Sequence, residues 1–479
     1  MNNGRLPPRE GASDLLVWKG NDTMKTHIAA ALTCLALTPA LAQEERPAAA
    51  AATIAPATTA PASTAPTVPN NPDYAAVQEG KPVDSRLNEN VRDKPLYPEQ
   101  TRAPYHKTAP YTLTEITGGL YAPWALAFLP DGKFLVTEKL PGALRVVSPD
   151  GKISSPVSGL DQVKSGGMGW PETGLFDLAL DPGFAQNHTI FFTFFGFDHG
   201  MLGGLQLARA TFDQAANALR DVKVIFRALP STPNDAHSGF GSRSGGRLAI
   251  GPDGFIYITI GDRDAGTSTP WRVAQTLDTH LGKIVRVTKD GAPAPGNPYI
   301  GRKDALPEIW AIGQRSQEGL AFDNNGQLWE TEHGPRGGDE LNLIKPGGNY
   351  GWPIISHGID YPGPPMADGE VAKAGIEQPV YYWSPSVGVC QVAFYKGNLF
   401  PEWKNSVFVT TLRGNSVERL TMANGKVVNE EPLLTEVKMR IRDVRIGPDG
   451  AVYVLTDSGG GSVTNNTPPT SKLLKLTPR

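Results

Sequence analysis

The residues with the clearest potential for chemistry lie between Arg315 and Pro353. The centre of this stretch reads His333-Gly334-Pro335-Arg336-Gly337-Gly338-Asp339-Glu340. Gly334-Pro335 favours a tight turn with outward-facing carbonyls that lack evident partners, and hard cations such as calcium bind carbonyl and carboxylate oxygens. Asp339 and Glu340 could supply the negative charge. The composition alone is equally consistent with a surface loop that carries a solvated acidic pair.

Arginines precede two of the strands that the sequence pattern predicts. Arg315 opens the segment Arg-Ser-Gln-Glu-Gly, and Arg440 and Arg442 occupy alternate positions in Arg-Ile-Arg-Asp-Val. Alternate residues of a strand point the same way, so Arg440 and Arg442 would offer two guanidinium groups suited to carboxylates. An exposed basic strand face balanced by Asp443 would give the same pattern. Arginine sites on inner strands of separate repeats predict one shared anionic ligand.

A histidine in a Gly/Ser-rich loop is the candidate general base. His237 lies in Asp-Ala-His-Ser-Gly, where its pKa and exposure would suit proton transfer. An exposed loop histidine without a role is the competing interpretation. Asp262, at a strand end, could orient a base or a ligand, or it could cap a turn. Gln275 closes the same segment.

One structural unit recurs from residue 111 onward: a turn containing Asp or Asn, in most copies with Gly, followed by an alternating apolar strand. The strands of the six copies are Phe134–Glu138, Ile190–Thr193, Ile256–Ile260, Leu328–Thr331, Val407–Thr410 and Val452–Thr456. Copies spaced by about 50 to 75 residues are typical of radial repetition. The pattern predicts an all-β fold, a six-bladed β-propeller of four-stranded antiparallel sheets, over residues 111–479. The Arg315–Pro353 stretch follows the fourth copy and would lie at the central channel.

Composition limits the class of partner. The chain has 479 residues, 45 Lys and Arg against 48 Asp and Glu, and a formal charge of −3. Nucleic-acid binding needs clustered basic residues, and no such cluster occurs. The expected partners are therefore small molecules.

The first part of the chain divides into four segments. Residues 1–23 precede an internal Met24 and are predicted not to be translated. Residues 24–42 have the charge, apolar run and small-residue end of a signal peptide, and the run is too short for a transmembrane segment. Residues 43–75 are an Ala/Pro/Thr-rich linker predicted to be disordered, and residues 76–110 are a lead-in segment. The expected location is periplasmic or secreted, with Cys390 as the one cysteine left after cleavage.

Several of these motifs, taken in order, resemble one family. They are Pro123–Phe128, Gly174–Pro182, Gly246–Leu248, Ile260–Arg263, His333–Asn342, Asn349–Pro353 and Ile441–Val444. Together they are similar to the soluble PQQ-dependent aldose sugar dehydrogenases, the glucose/sorbosone dehydrogenase family. The Glu-His-Gly-Pro-Arg-Gly-Gly-Asp-Glu and Arg-Asp-Val segments are specific, whereas Pro-Asp-Gly turns occur in any propeller.

The resemblance implies an oxidoreductase that binds pyrroloquinoline quinone (PQQ) and calcium and oxidises the anomeric hydroxyl of an aldose to a lactone. It implies that the carbonyls of Gly334 and Pro335 hold calcium and that His237 is the catalytic base. An external electron acceptor would reoxidise the cofactor. The implied cofactor-binding residues are Arg315, Ser316, Glu318, Arg413, Arg440, Arg442 and Asp457, and those near the site are Asp262, Gln275, Asp339 and Glu172.

The chain departs from the family pattern at several positions. Ser316 stands where the family has an asparagine, so an amide is lost. Glu318 puts a carboxylate where the family has a neutral amide, and it would face an anionic cofactor. Arg413 is the nearest match to a family lysine. Arg243 stands at the usual spacing of the catalytic histidine, so His237 fits only if the loop after it bulges.

Two other functions remain open from the sequence. One is a calcium-dependent propeller lactonase or hydrolase, which would use the metal and the acidic residues without needing converging arginines. The other is a non-catalytic propeller that binds carbohydrate or protein, which the changes at Ser316 and Glu318 would permit.

We predict that the mature chain starts near Gln43, because residues 24–42 have the features of a signal peptide. The intact mass of the exported protein, measured by mass spectrometry, checks this start. A mass that still includes residues 1–23 would refute the internal start.

Overall fold

The strands form six small antiparallel sheets. The structure is a computed structural model, and it describes residues 71–139, 142–161, 163, 174–200, 202–233, 242–263, 273–361, 363, 366–458 and 469–479. We call the sheets blades 1 to 6 in chain order. The first strand, β1 (Tyr111–Leu120), belongs to the last blade.

Blades 1 to 3 occupy the first half of the propeller. Blade 1 contains β2 (Pro123–Phe128), β3 (Phe134–Glu138) and β4 (Ala143–Val147). Blade 2 contains β5 (Gly174–Leu180), β6 (Thr189–His199), β7 (Leu202–Asp213) and β8 (Ala218–Arg227), with β9 (Thr232–Pro233) paired to β7. Blade 3 contains β10 (Gly245–Ile250), β11 (Ile256–Ile260), β12 (Lys283–Val287) and β13 (Ile309–Ile312).

Blades 4 to 6 complete the circle. Blade 4 contains β14 (Gln317–Phe322), β15 (Leu328–Glu332), β16 (Asp339–Ile344) and β17 (Tyr381–Trp383). Blade 5 contains β18 (Val389–Phe394), β19 (Ser406–Thr411), β20 (Val417–Ala423) and β21 (Lys426–Leu433). Blade 6 contains β22 (Arg440–Ile446), β23 (Val452–Asp457) and β24 (Ser471–Pro478), followed in space by β1.

The helices in the described part of the chain are short. They are α1 (Phe184–Asn187) and the 3₁₀ turns Tyr74–Ala76, Pro98–Gln100, Val273–Gln275, Met366–Gly369, Pro401–Trp403 and Thr435–Val437. Across the described part of the chain, no helix is long and apolar enough to cross a membrane.

Local turn chemistry explains the repeated unit. In blade 3, Gly254 adopts φ +79°, a conformation that favours glycine. The Asp253 carboxylate accepts the Phe255 N–H, and the Gly251 N–H bonds to the Phe255 carbonyl, which starts β11. The six repeated strands of the sequence are the second strands of the six blades. The prediction of a six-bladed β-propeller is confirmed.

The blades form a closed ring. Their first strands contact one another in the order β2, β5, β10, β14, β18, β22 and back to β2. The ring is fastened by β1, which pairs with β24 from Tyr111 opposite Pro478 to Leu120 opposite Ser471. The first and last strands of the propeller therefore share one sheet, and apolar side chains pack between neighbouring blades.

A buried ion network lies on these inner strands. Arg247 is fully buried, and its Nη1 lies 2.9 Å from Oδ1 of Asp443. Its guanidinium also lies over the Trp124 ring, 3.9 Å from the ring centroid. Arg445 contacts both Asp443 and Asp177, at 2.9 and 2.7 Å. The network joins blades 1, 2, 3 and 6 through groups that are charged and paired.

Residues 71–110 pack against the propeller as an extended segment, which we call the strap. The Tyr74 hydroxyl contacts Ser416 Oγ at 2.9 Å on blade 5, and the Tyr97 hydroxyl donates to the Val380 carbonyl at 2.8 Å. Residues 71–75, which the sequence assigns to the linker, are part of this segment in the structure. Polar residues order the strap through long-range hydrogen bonds, and apolar periodicity does not reveal such bonds.

We predict that the stability of the strap's junction with blade 5 depends on pH through Glu418. Burial, and then the nearby Glu430 charge, raise the pKa of Glu418 from 4.5 to about 8. The folded state therefore holds this proton more tightly than the unfolded chain does, so stability is lost as pH rises from about 4.5 towards 8. Glu418→Gln keeps the shape without the ionisation. Relative to this variant, the wild type should lose up to ~1.4 kcal/mol of unfolding free energy per pH unit.

Chemical denaturation at pH 5, 6, 7 and 8 measures that difference. Glu115→Gln, which removes an exposed carboxylate paired with Lys472, is the matched control. Parallel pH profiles for the wild type and Glu418→Gln would contradict the prediction.

Candidate functional site

Inner strands of two blades carry the charged residues of the site. Arg442 on β22 lies with Nη2 2.8 Å from Asp457 Oδ2 on β23 and with Nη1 3.3 Å from Glu318 Oε2 on β14. Arg440 Nε lies 3.6 Å from the same Asp457 oxygen. As their alternate positions predict, Arg440 and Arg442 reach one carboxylate. Glu318 connects this pair to blade 4.

The environments of these two guanidinium groups differ. Burial lowers the pKa of Arg442, but Cys390, Asp457 and Glu318 together outweigh it, and the net pKa is raised. Burial and repulsion by Arg442 lower the pKa of Arg440. Arg440 Nε is buried and has no hydrogen-bond partner among the described residues. Arg440 therefore retains a buried N–H group that can donate to an acceptor on a bound ligand.

Arg315 lies under the Gly-Pro turn. Its Nη1 donates to the carbonyls of His333 and Gly334, both at 2.9 Å, and its Nη2 is 3.4 Å from the Tyr361 hydroxyl. The expectation that the Gly334 carbonyl lacks a partner is therefore wrong, because the Arg315 guanidinium reaches it from the loop between β13 and β14. Burial, followed by the Arg243 charge, lowers the pKa of Arg315. In the part of the chain that the structure describes, Arg315 Nε is also buried without a hydrogen-bond partner.

Asp339 holds the turn in place. Its Oδ1 accepts the Gly334 N–H at 3.1 Å, and its Oδ2 accepts Ser386 Oγ at 2.7 Å and the Gly388 N–H at 2.6 Å. Both oxygens are thus engaged by protein donors. The fully buried carboxylate therefore has a structural role in the turn. That it also supplies negative charge to a cation stays a prediction.

The surroundings of the Glu340 side chain also do not favour direct binding of a cation. Its Oε2 accepts Asn342 Nδ2 at 3.1 Å. Burial, and then the Glu332 charge, raise the pKa of Glu340 well above its usual range. Burial likewise raises the pKa of Glu332 to about 7, although the Arg315 backbone N–H that it accepts at 2.5 Å opposes the shift. Burial therefore stabilises the neutral form of these two carboxyl groups relative to a carboxyl group in water.

Blade 3 supports the second half of the Arg315–Pro353 stretch. Asp262 accepts Trp352 Nε1 at 2.8 Å and lies 3.1 Å from Arg243 Nη1. Gln275 donates to the Trp352 carbonyl at 2.7 Å and exchanges hydrogen bonds with Asn349. These contacts fix the Trp352 ring, whose centroid is 5.3 Å from the Arg315 guanidinium. Asp262 and Gln275 thus act on the loop that covers Arg315.

The remaining predicted residues lie in different surroundings. Ser316 is buried, and its carbonyl accepts the His333 N–H at 2.9 Å. Arg413 is exposed, and its backbone N–H donates to the Val387 carbonyl at 3.0 Å. His237 and Glu172 lie outside the described residues. The description therefore brings together the arginines, Glu318, Asp457 and the Gly-Pro turn, while the position of the predicted base is not part of it.

Side-chain ligands for a metal are scarce in this arrangement. Within the described ranges, no group of three or more His, Cys, Asp or Glu side chains is arranged to hold a metal ion. Among the described residues, the groups at this site that could bind a cation are main-chain carbonyl oxygens such as that of Gly334.

Comparison with known proteins agrees with this geometry. The sequence profile of the Glucose / Sorbosone dehydrogenase family matches residues 120–465. The chain is 37% identical over 360 residues to Aldose sugar dehydrogenase YliI of Escherichia coli (strain K12), which covers 74% of this chain and 90% of that protein.

The chain belongs to the glucose/sorbosone dehydrogenase family.

Solved structures give the same result for the fold. The soluble aldose sugar dehydrogenase from Escherichia coli in the apo-form aligns with a TM-score of 0.68 at 35% identity, over 77% of this chain and 100% of that one. The PQQ-bound form of aldose sugar dehydrogenase from Streptomyces coelicolor aligns with a TM-score of 0.61 at 26% identity, over 78% and 99%. The protein is thus an oxidoreductase acting on sugar CH–OH groups, which decides among the three functions that the sequence leaves open.

Sequence reasoning missed two neighbours of the dehydrogenase site. Tyr361 is 62% exposed and contacts Arg315, yet no motif marks it. Cys390 Sγ lies 3.5 Å from Arg247 Nη2 and 3.7 Å from Arg442 Nη1. Cys390 lies on the first strand of blade 5, at the level of Glu318 on β14. This position on an inner strand is the sequence signal that could have placed it near the site.

We predict that Asp339→Asn lowers the free energy of unfolding of the dehydrogenase by about 2–3 kcal/mol, because buried charge-assisted hydrogen bonds to backbone N–H groups are weakened. Chemical denaturation measures the change. Asp304→Asn, which removes an exposed carboxylate beside Arg302, should shift the value by less than about 0.5 kcal/mol. Equal shifts in the two variants would show that Asp339 does not hold the turn.

Proposed function

We propose that this dehydrogenase is a quinoprotein that oxidises the anomeric hydroxyl of aldose sugars to lactones, with PQQ as the hydride acceptor and calcium as the Lewis acid. We further propose that it is exported to the periplasm or beyond, as the signal-like residues 24–42 suggest, and passes its electrons to an external acceptor. The observation that carries the proposal is the pair of buried guanidinium Nε donors, on Arg315 and Arg440, without hydrogen-bond partners among the described residues.

The residues fit an anionic cofactor. A tricarboxylate such as PQQ would provide hydrogen-bond acceptors for both donors, of which Arg440 Nε has only a long ionic contact of 3.6 Å with Asp457. Both donors belong to guanidinium groups, which pair well with carboxylates. The PQQ-bound relative from Streptomyces coelicolor supports the same assignment.

The residues also fit a calcium ion bound through main-chain oxygens. The Gly334 carbonyl accepts a hydrogen bond from Arg315, so calcium could bind this oxygen only if the guanidinium moved away, which would also relieve the repulsion between the two cations. Calcium would compete with Arg315 for that oxygen, and Arg315 would then be available to the cofactor. Bound together, PQQ and calcium would supply the hydride acceptor and the Lewis acid that the oxidation requires.

The remaining step is removal of a proton from the sugar. We assign it to His237, because a neutral imidazole can accept a proton near neutral pH whereas Arg243 cannot. Arg243 lies 3.1 Å from Asp262, an ion pair that supports the loop carrying Trp352. His333 is the next candidate, since its Nε2 is buried without a hydrogen-bond partner in the described part of the chain.

Glu318 distinguishes this chain from the family pattern. Its carboxylate contacts Arg442, so it neutralises part of the positive charge that a PQQ carboxylate would meet. Binding of the cofactor must then overcome this ion pair and the repulsion between like charges. The proposal therefore includes weaker PQQ binding than an amide at this position would give.

Substitution of each partner of the Glu318–Arg442 ion pair tests the proposed function, because the two changes should shift PQQ affinity in opposite directions. We predict that Glu318→Gln tightens PQQ binding by roughly tenfold, because a competing carboxylate is removed. Arg442→Gln should weaken it by about 10- to 100-fold, because a charge-assisted contact is lost. Titration of the purified protein with PQQ, with and without calcium and followed by cofactor absorbance, gives both affinities. Aldose-dependent reduction of an electron acceptor gives the activity.

Glu115→Gln on the outer strand of blade 6 is the matched control for loss of one carboxylate. It should bind PQQ as the wild type does. A wild-type protein that binds no PQQ in the presence of calcium would overturn the proposed function. Equal PQQ affinities for Glu318→Gln and Arg442→Gln would show that this ion pair does not affect cofactor binding.

A further inference from the structure

The strap contacts the two loops that enclose the Gly334–Pro335 turn. Glu89 pairs with Arg336, the residue directly after the turn, with Arg336 Nε 3.0 Å from Glu89 Oε2. The Glu89 side chain is 17% exposed, so the pair is partly shielded from water. Such a partly buried bidentate pair fixes a backbone more firmly than an exposed surface pair does.

A second set of strap contacts reaches the loop at residues 357–359. Asn90 Nδ2 donates to the His357 carbonyl at 3.2 Å, and Asp93 Oδ1 lies 2.8 Å from His357 Nδ1. The side chains of Asp93 and His357 are each 1% exposed. The imidazole is stacked on Tyr382 with ring centroids 3.8 Å apart. The strap therefore anchors this loop through buried groups.

The loop in turn is locked against the Gly-Pro turn. The Arg336 N–H donates to the Ile359 carbonyl at 3.1 Å, and the Ile359 N–H donates back to the Arg336 carbonyl at 3.2 Å. Gly338 lies so close that an added Cβ would be 2.5 Å from the Gly358 nitrogen. A shift of residues 357–359 must therefore move the turn as well.

A third set of strap contacts reaches the loop at residues 384–386, which bonds to the Asp339 side chain. Arg102 Nη2 donates to the Ser384 carbonyl at 2.9 Å, and Ser384 Oγ donates to Asn88 Oδ1 at 2.8 Å. Two residues later, Ser386 donates to the Asp339 carboxylate, which accepts the Gly334 N–H. The strap thus reaches Gly334 by a second route.

The strap lies outside the part of the chain that matches the family profile, which begins at residue 120. The apo-form Escherichia coli structure is covered over its whole length by 77% of this chain. The match to the family profile therefore does not include the strap.

We infer that the strap is a positioning element of the site: it fixes the Gly334–Pro335 turn and thereby sets the affinity for the cation and the anionic cofactor. This inference rests on the proposed function for the ligands, but not for the ordering of the turn. A turn rich in glycine is costly to order, so a segment that orders it beforehand removes that cost from binding. Glu89, Asn90 and Asp93 are positioning residues, since they act through Arg336 and His357.

The test compares two single-charge variants of the strap. Glu89→Gln breaks the pair with Arg336, whereas Glu99→Gln breaks an exposed pair with Lys426 on blade 5. Hydrogen exchange of the cofactor-free protein is measured for peptides covering residues 334–338 and 357–359. Exchange in Glu89→Gln should be roughly fivefold faster or more, and PQQ affinity in the presence of calcium should fall by a similar factor. Glu99→Gln should match the wild type in both.

Two further variants sharpen the test. Glu89→Arg combined with Arg336→Glu exchanges the charges and should restore slow exchange, and Asn90→Ala should speed exchange first at residues 357–359. Exchange in Glu89→Gln as slow as in Glu99→Gln overturns the inference. If the wild type binds no PQQ, the proposed function fails, while the exchange comparison still decides whether the strap orders the turn.

Discussion

The buried guanidinium of Arg247 is the contact on which the rest of the structure depends. It bonds to a carboxylate of blade 6, lies over an indole of blade 1, and donates through Nε to the Glu318 carbonyl of blade 4 at 2.7 Å. A buried charge is tolerated only when its partners are fixed. The strands that carry these partners must therefore pack in one arrangement. The first strands of the ring are thereby registered against one another.

That same group also fixes the backbone of the site. Arg247 donates to the carbonyls of both Glu318 and Arg442, at 2.7 and 2.9 Å, and these two residues form the ion pair beside Asp457. The backbone that carries the charged residues of the site is therefore itself held in place by a charged group, the Arg247 guanidinium. Loss of the guanidinium would leave Asp443 buried with a weaker set of partners and would release two strands at once.

Much of the fold is encoded locally, and the site only partly so. Turns such as Asp253-Gly254 and the alternation in β11 are short-range features, which is why six repeats predict six blades. Arg440 and Arg442 share a face for the same reason. The contact of Arg315 with the Gly334 carbonyl and the packing of Asn90 on His357 join residues distant in sequence, so no pattern in one chain reveals them. The polar residues of the lead-in segment supply the hydrogen bonds that hold it on the propeller.

The pairing of β1 with β24 has a consequence for biosynthesis. A chain that grows from its N-terminus makes β1 first, yet the partner of that strand is the last one to be made. Until residues 471–478 arrive, β1 and β23 each present an unpaired edge, the kind of edge that recruits strands from other molecules. Synthesis that stops before residue 471 therefore yields an open ring, and the propeller closes only once β24 is made.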